Sequence, residues 1–122
     1  MKRDMDLVRR TLQWMEARDE KNVGDRLKID GVSEMEVDYH VYLMEQAGLV
    51  IARENTVIHD PFPSAIPVSL TWKGHEFLDE TRSNTLWQKA KEKVIGPAGG
   101  VAFTVLLDWA TAEAKSQLGL PP

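Results

Sequence analysis

The sequence contains no cysteine, which excludes disulfides, thiolate zinc sites and a thiol nucleophile. Glycine and proline are few, at 8 and 6 residues, which argues against a low-complexity or disordered chain. The longest nearly apolar run, residues 101–107, is far shorter than the roughly 20 residues of a membrane span. The charged start is followed by no apolar segment, so we expect neither a secretory signal nor a membrane contact, and the cytoplasm is the expected location.

The chain is mildly acidic. Lysine and arginine number 15 against 19 aspartates and glutamates, for a net charge of −4. A protein of this sign is not drawn as a whole to phosphate backbones, so a nucleic-acid role needs a local basic patch. At 122 residues and 43% hydrophobic, it is expected to form one compact unit around one core.

The first half of the sequence predicts two helices and a short strand. Apolar residues recur at helical spacing over residues 4–20: Met5, Val8, Leu12 and Met15. Leu27 and Ile29 alternate with charged residues before a turn at Asp30-Gly31, which predicts a short strand. A capping box at residues 33–36 predicts the start of a second helix, and Gly48 its end.

The second half predicts a ribbon and further helices. Residues 49–52 favour a strand, and a turn is expected at 54–55. Residues 56–58 are suited to form the returning strand of the ribbon. The clearest strand pattern alternates apolar and other residues through Ile66, Val68, Leu70 and Trp72, with Pro67 restricting it to a sheet edge or a strand start. Thr71 is placed to cap a helix from Trp72 to about residue 81, and a second helix is expected to restart at Ser83-Asn84.

The end of the sequence predicts a helix over residues 101–118 that is apolar on more than one face. Its polar stripe is narrow: Thr104, Asp108, Thr111 and Lys115. Such a helix either fills the core of its own domain or packs against a second copy in a homodimer. We therefore divide the chain into a domain at 1–95, a Gly/Pro hinge at 96–100, this helix at 101–118 and a tail at 119–122.

The order of elements predicts an α+β fold with a winged helix-turn-helix-like core: a helix, a short strand, a helix and a two-stranded wing, with additional C-terminal helices. A helix that ends at Ala47-Gly48-Leu49 and leads directly into a ribbon is typical of the second half of that motif.

Three blocks carry a family resemblance: residues 1–9 (MKRDMDLVR), 39–49 (YHVYLMEQAGL) and 70–79 (LTWKGHEFLD), with Trp87 further on. They resemble a domain-of-unknown-function family of short bacterial and phage-encoded proteins, over about the first 95 residues. The resemblance implies a winged-helix fold and a phage or mobile-element origin, and it brings no site residues. More loosely, residues 37–50 resemble the recognition helix and following strand of bacterial winged-helix repressors, although residues 31–36 are too short for the full helix that precedes it there.

The charge of that second helix disfavours insertion into a DNA groove. Between Lys28 and Arg53 the sequence has five acidic residues and no basic one. Each carboxylate set close to a phosphate costs on the order of 1 kcal/mol at a moderate dielectric. Repressors of this kind instead present cations and matched hydrogen-bond donors.

Two binding hypotheses follow. In the first, a nucleic-acid-associated regulatory protein binds DNA through two basic groups: Lys2, Arg3, Arg9 and Arg10 at the front, and Arg82, Lys89, Lys91 and Lys93 further on. The alternative for these cations is a solvated helix face. In the second, a protein-interaction module or inhibitor engages a basic partner through an acidic, tyrosine-bearing helix face: Asp38, Tyr39, Tyr42 and Glu45. The tyrosines are equally suited to flank the core.

No arrangement of catalytic or metal-ligating residues stands out, so we expect a non-enzymatic protein without a cofactor or metal. His75 and Asp79 lie four residues apart, but two groups do not make a metal site, and a hydrogen-bonded structural histidine beside Trp72 is favoured; His40 is interpreted in the same way. The four tryptophans are expected to be core or interface anchors: Trp14, Trp72, Trp87 and Trp109.

Overall fold

The computed structural model describes residues 1–18, 27–95 and 103–121. The protein is α+β, and its order of helices, antiparallel hairpin and further helices is consistent with a winged-helix-like arrangement. In chain order the elements are α1 (Met5–Ala17), α2 (Glu34–Gln46), β1 (Val50–Glu54), β2 (Ala65–Leu70), α3 (Trp72–Glu80), α4 (Asn84–Ala90), a π-helical segment (Lys91–Ile95) and α5 (Phe103–Gln117).

Helix α1 begins at a capped aspartate. Asp4 Oδ1 accepts hydrogen bonds from the backbone amides of Asp6 (2.9 Å) and Leu7 (3.3 Å), which otherwise have no partner in the first turn. The predicted apolar stripe is buried and packs in the main core. The helix ends three residues earlier than predicted, at Ala17, and Arg18 is already extended.

Helix α2 lies at the centre of the domain. Ser33 Oγ accepts a hydrogen bond from the Glu36 amide at 3.2 Å, as the capping box predicts. At the other end Gly48 takes a positive φ of 78°, which a residue with a Cβ rarely adopts. Residues 36–45 are all buried or half-buried, because α1 and both strands pack against this helix.

The hairpin pairs β1 and β2 antiparallel, from Val50 opposite Leu70 to Glu54 opposite Ala65, with an irregularity between Ile51 and Ala52. The predicted return over residues 56–58 is wrong: these residues lie in the connecting loop, where the Asp60 amide bonds the Val57 carbonyl at 2.9 Å.

The alternation predicted for the second strand is also displaced. Ala65 and Pro67 are buried and Val68 is exposed, so this part of β2 alternates as a strand should, but with the opposite face inward from the one predicted. Pro67 is tolerated in a two-stranded sheet, in which each strand is an edge.

The strand predicted at Leu27 and Ile29 is wrong. These residues form no strand, and the Ile29 carbonyl accepts a turn hydrogen bond from the Val32 amide at 3.2 Å. Leu27 is buried in a second core cluster with Leu7, Val37 and Val41, and this burial explains why an apolar residue occupies the position. Arg18 donates to the carbonyls of Pro67 and Val68, so two acceptors of β2 are bonded to a side chain.

The two helices after the hairpin begin where the sequence predicts. Thr71 Oγ1 accepts from the Gly74 amide at 3.1 Å, and Ser83 Oγ from the Leu86 amide at 3.2 Å. Phe77 of α3 and Trp87 of α4 meet edge to face in the main core, with ring centroids 6.3 Å apart.

Helix α5 packs on the core of its own chain. Leu106 and Ala110 are fully buried, and Leu107 and Trp109 pack partly buried against the main core. This is the core-filling alternative for the apolar helix, and the homodimer stays a prediction. The hinge predicted at residues 96–100 lies outside the described residues.

Candidate interaction surface

Arg9, which the sequence assigns to a basic surface, is buried at 6% exposure. Its Nε donates to the Thr81 carbonyl (2.9 Å), and its Nη2 donates to the Arg82 carbonyl (3.3 Å) and to Asn84 Oδ1 (3.0 Å). Its guanidinium carbon lies 5.3 Å from the Trp87 ring centroid, so a cation–π contact adds to these bonds. Burial lowers the pKa of Arg9, and Asp6 opposes that effect. Arg9 therefore holds the end of α3 to the start of α4 and is not available to a phosphate.

Arg82 is exposed but fully engaged. Its two terminal nitrogens each lie 3.0 Å from an oxygen of Glu16, and Nη2 also lies 2.8 Å from Asp79 Oδ1. The hydrogen bond to Arg82 lowers the pKa of Glu16, and the two carboxylates raise the pKa of Arg82. We call this cluster the helix junction; its members are Arg9, Glu16, Thr81, Arg82, Asn84 and Trp87.

Two further cations of the predicted basic groups also contact their own chain. Lys91 Nζ lies 3.5 Å from Asp6 Oδ1, the atom that accepts the Trp87 indole hydrogen bond at 2.7 Å. Arg10 Nη2 donates to the Asp30 carbonyl at 3.2 Å. The other four cations of these groups are exposed: Lys2, Arg3, Lys89 and Lys93.

The acidic helix face of the second hypothesis is mostly covered. Asp38 is only 5% exposed. Tyr39 is half-buried, with its ring centroid 5.4 Å from that of Phe62 in the hairpin loop, and Tyr42 packs against the second core cluster. Glu45 Oε1 accepts a hydrogen bond from the Ala52 amide at 3.4 Å. The tyrosines flank the core, which was the structural alternative.

Of the two histidines interpreted as structural, His40 is buried and His75 is exposed. His40 is buried between α1 and α2: Nε2 accepts from the Asp4 amide and Nδ1 donates to the Glu36 carbonyl, both at 2.8 Å. That prediction is confirmed. His75 is exposed, so the prediction of a structural histidine beside Trp72 is wrong.

The four tryptophans, predicted to be core or interface anchors, divide between core and exposed positions. Trp87 is buried, and Trp14 and Trp109 pack against the main core. Trp72 is 82% exposed, with its indole nitrogen donating to Glu76 Oε1 at 2.7 Å. This exposure excludes a place in the core for Trp72, and its role as an interface anchor stays a prediction.

The hairpin carries exposed aliphatic side chains, which sequence reasoning did not identify as functional. The exposed fractions are 54% for Ile51, 56% for Val57, 93% for Ile58 and 43% for Val68. We call these four residues the apolar hairpin surface. One sequence feature indicates this surface: Val57 and Ile58 are aliphatic but stand between turn-forming residues and the proline-rich loop.

A pocket of about 220 Å³ separates the hairpin loop from the N-terminal end of α2. Three acidic residues line it: Glu34, Asp38 and Asp60. Apolar side chains of Met35, Val57 and Phe62 share the same lining. The pocket therefore combines negative charge with apolar surface, and Val57 belongs both to it and to the apolar hairpin surface.

A carboxylate at the other side of the molecule has a different environment. Glu80 of α3 is half-buried in a groove against α5, where its Oε1 accepts a hydrogen bond from Thr111 Oγ1 at 3.1 Å. Burial raises the pKa of Glu80, the Thr111 hydrogen bond opposes this effect, and Glu76 reinforces it.

Within residues 1–18, 27–95 and 103–121, no group of three or more histidine and acidic side chains is placed to hold a metal ion. Across the same ranges, no helix has the length and apolar character required to cross a membrane.

Comparison with known proteins gives two matches. The family described as hypothetical protein (DUF2513) matches residues 2–100. A Haemophilus influenzae protein named "Uncharacterized protein" is 35% identical over 96 residues, which cover 77% of this chain and 79% of the relative. No solved structure matches the chain.

Proposed function

The chain belongs to the family of hypothetical proteins (DUF2513), and we propose that it is a non-enzymatic binding module whose apolar hairpin surface contacts a partner protein. The observation that carries this proposal is the exposure of four aliphatic side chains on one hairpin. Exposure of such side chains to water is unfavourable, and a partner that covers them lowers the free energy by about 25 cal/mol for each Å² of apolar surface removed from water.

The charge next to the hairpin supports a partner with basic residues. Glu34 and Asp60, which are both exposed, line the pocket beside Val57. A lysine or arginine side chain can bury its aliphatic stem against Phe62 and Val57 while its charged end meets the carboxylates. The proposal retains the basic protein partner of the second sequence hypothesis and moves the contact from the middle of α2 to its N-terminal end.

The nucleic-acid hypothesis has less support from the same geometry. Arg9 is buried, Arg82 and Lys91 already lie against carboxylates, and Arg10 bonds the Asp30 carbonyl, so at least four of the eight predicted cations contact their own chain. Separating Arg82 from two carboxylates to reach a phosphate exchanges one ion pair for another. A role as a regulator of phage or mobile-element type stays a prediction that only binding experiments test.

A displayed library of random peptides tests the proposal with a defined probe. We expect selection on the full chain to enrich peptides that place lysine or arginine next to apolar residues. Ile58→Ser and Asp60→Asn should each weaken binding of the selected peptides by at least about tenfold, which corresponds to about 1.4 kcal/mol. Lys93→Glu is the matched control, because it alters an exposed residue on another element.

A titration with random duplex DNA at low salt tests the nucleic-acid hypothesis separately. Binding that weakens steeply with salt and disappears in Lys89→Glu and Lys93→Glu supports the nucleic-acid hypothesis instead. Selected peptides that bind Ile58→Ser as tightly as the original chain contradict the hairpin proposal.

A further inference from the structure

An apolar cleft of about 250 Å³ lies on a different part of the surface, between the start of α1 and the C-terminal end of α2. Its lining residues are Arg3, Met5, Val8, Leu43, Met44, Gln46, Ala47 and Leu49. The hairpin loop contributes none of these lining residues, so the cleft is independent of the surface proposed above.

The floor of the cleft is the main core itself. Met5, Val8, Met44 and Leu49 are buried members of that core, and they form the inner wall. A ligand in the cleft therefore meets packed aliphatic and thioether groups. Two methionines favour such a use, because their flexible, polarizable side chains adapt to ligands of different shape.

The charge at the mouth of the cleft is positive. Arg3 is exposed and lines the cleft, and Lys73 Nζ donates to the carbonyl of Ala47, another lining residue, at 3.1 Å. No carboxylate is among the described residues that line it. The lysine also offsets the partial negative charge at the C-terminal end of α2, which otherwise repels an anion.

We propose that this cleft binds a small apolar monocarboxylate, with its hydrocarbon chain against Met5 and Met44 and its carboxylate on the guanidinium of Arg3. A guanidinium has five N–H donors in a fork that matches a carboxylate, so the ligand adds to the contacts that Arg3 makes in its own chain. The cleft volume of about 250 Å³ lies just below the usual range for ligand pockets, about 300–1,000 Å³, and this favours a ligand with a short chain.

Methyl-labelled methionine gives a direct test with sodium octanoate as the probe, kept below its micelle concentration. We expect saturable shifts of the Met5 and Met44 methyl signals. Met35 is the internal control, because it lies outside the cleft and is half exposed. Octanol and octylammonium, which keep the hydrocarbon chain and lose the negative charge, should bind at least about fivefold more weakly.

Variants separate the charge from the cavity. Arg3→Gln should weaken octanoate to about the affinity of octanol, whereas Lys2→Gln, one residue away, should leave it unchanged. Ala47→Phe should block the cleft for every ligand, with an otherwise native spectrum as the check on folding. Ile58→Ser should have no effect, which separates this site from the hairpin.

Three results overturn the proposal. The first is the absence of a saturable shift at Met5 and Met44. The second is equal binding of octanoate and octanol, which leaves only a nonspecific apolar cavity. The third is an Arg3→Gln protein that folds normally and retains full octanoate affinity.

Discussion

At the helix junction and on the hairpin, the accessibility of the side chains is the reverse of what their residue types predict. At the junction, arginines that are typical of a binding surface are bonded to carbonyls and carboxylates of the same chain. On the hairpin, aliphatic residues that are typical of a core face the solvent. The comparison teaches that charge identifies a binding surface only where the charge remains accessible, and that exposed aliphatic side chains are informative where several occur on one element.

The physical cause of the difference is the geometry of the backbone at each place. The short connection between α3 and α4 contains Thr81 and Arg82, whose carbonyls both accept hydrogen bonds from Arg9. A buried carbonyl without a donor costs about 1–3 kcal/mol, and the forked guanidinium of Arg9 satisfies both at once. In the hairpin, the backbone groups of β1 and β2 bond each other across the two strands. The four exposed aliphatic side chains are therefore not required to satisfy backbone carbonyls.

The largest effect that tests this comparison is expected for Arg9→Leu. The variant retains apolar volume but leaves the Thr81 carbonyl and the Asn84 side chain without their donor, so the free energy of unfolding should fall by about 3 kcal/mol. Urea denaturation measures it. Arg10→Leu, at the next position and on the exposed side, should change it by less than about 0.5 kcal/mol. Equal effects of the two variants would mean that the Arg9 bonds contribute no more than an exposed contact.

A smaller loss in the free energy of unfolding is expected for His40→Leu. This variant tests whether a neutral buried side chain also stabilises the fold through its hydrogen bonds to the backbone. The variant removes the acceptor of the Asp4 amide and the donor to the Glu36 carbonyl, and the cost should be about 2 kcal/mol. Hydrogen exchange gives a local readout, because the Asp4 amide should lose its protection while amides in the centre of α4 change little. Retained protection at Asp4 would show that another acceptor replaces the imidazole.

Ionisation of Glu16 and of Glu80 should change the free energy of unfolding in opposite directions, each by about 0.5 kcal/mol. Because its pKa is lowered, ionised Glu16 stabilises the fold above its ordinary titration range, and this stability is lost as the pH falls. Because its pKa is raised, Glu80 favours the fold when protonated, and that contribution is lost as the pH rises. At pH 7, Glu16→Gln should therefore destabilise and Glu80→Gln should stabilise, by amounts kept small because both side chains are partly exposed.

Thermal unfolding at pH 7 and at about pH 3 checks the sign of each change. Both differences from the original protein should shrink at the lower pH, where the carboxyl groups of the original protein become protonated as well. A stabilisation by Glu80→Gln that persists unchanged at the acid pH would point to packing rather than to titration.

Local sequence patterns predicted the helices and their caps. Ser33, Thr71 and Ser83 each accept the backbone hydrogen bond expected of a residue at that position, because capping depends on neighbours within three residues. The winged-helix-like order of elements follows from the same local patterns.

The errors fall where distant residues decide the outcome. Leu27 is buried against α2 without pairing in a sheet, and an apolar residue in a strand pattern does not distinguish these environments. In β2 the buried residues are Ala65 and Pro67 rather than the more apolar Ile66 and Val68, so the hydrophobic alternation identified the strand but not its inward face. For the candidate site, the bonds of Arg9 to residues 72 to 75 positions away have no trace in the local sequence.

The smallest expected change in stability is that of Ile58→Ser, and it completes the comparison. A side chain that is 93% exposed buries almost no area in the isolated protein, so the free energy of unfolding should change by less than about 0.5 kcal/mol. Val50→Ser, on the buried side of the same hairpin, is the matched control and should destabilise by at least about 2 kcal/mol. A large loss of stability in Ile58→Ser would place that residue in the core, and its effect on peptide binding would then report folding instead of contact. Unchanged unfolding together with lost binding would assign Ile58 to the partner.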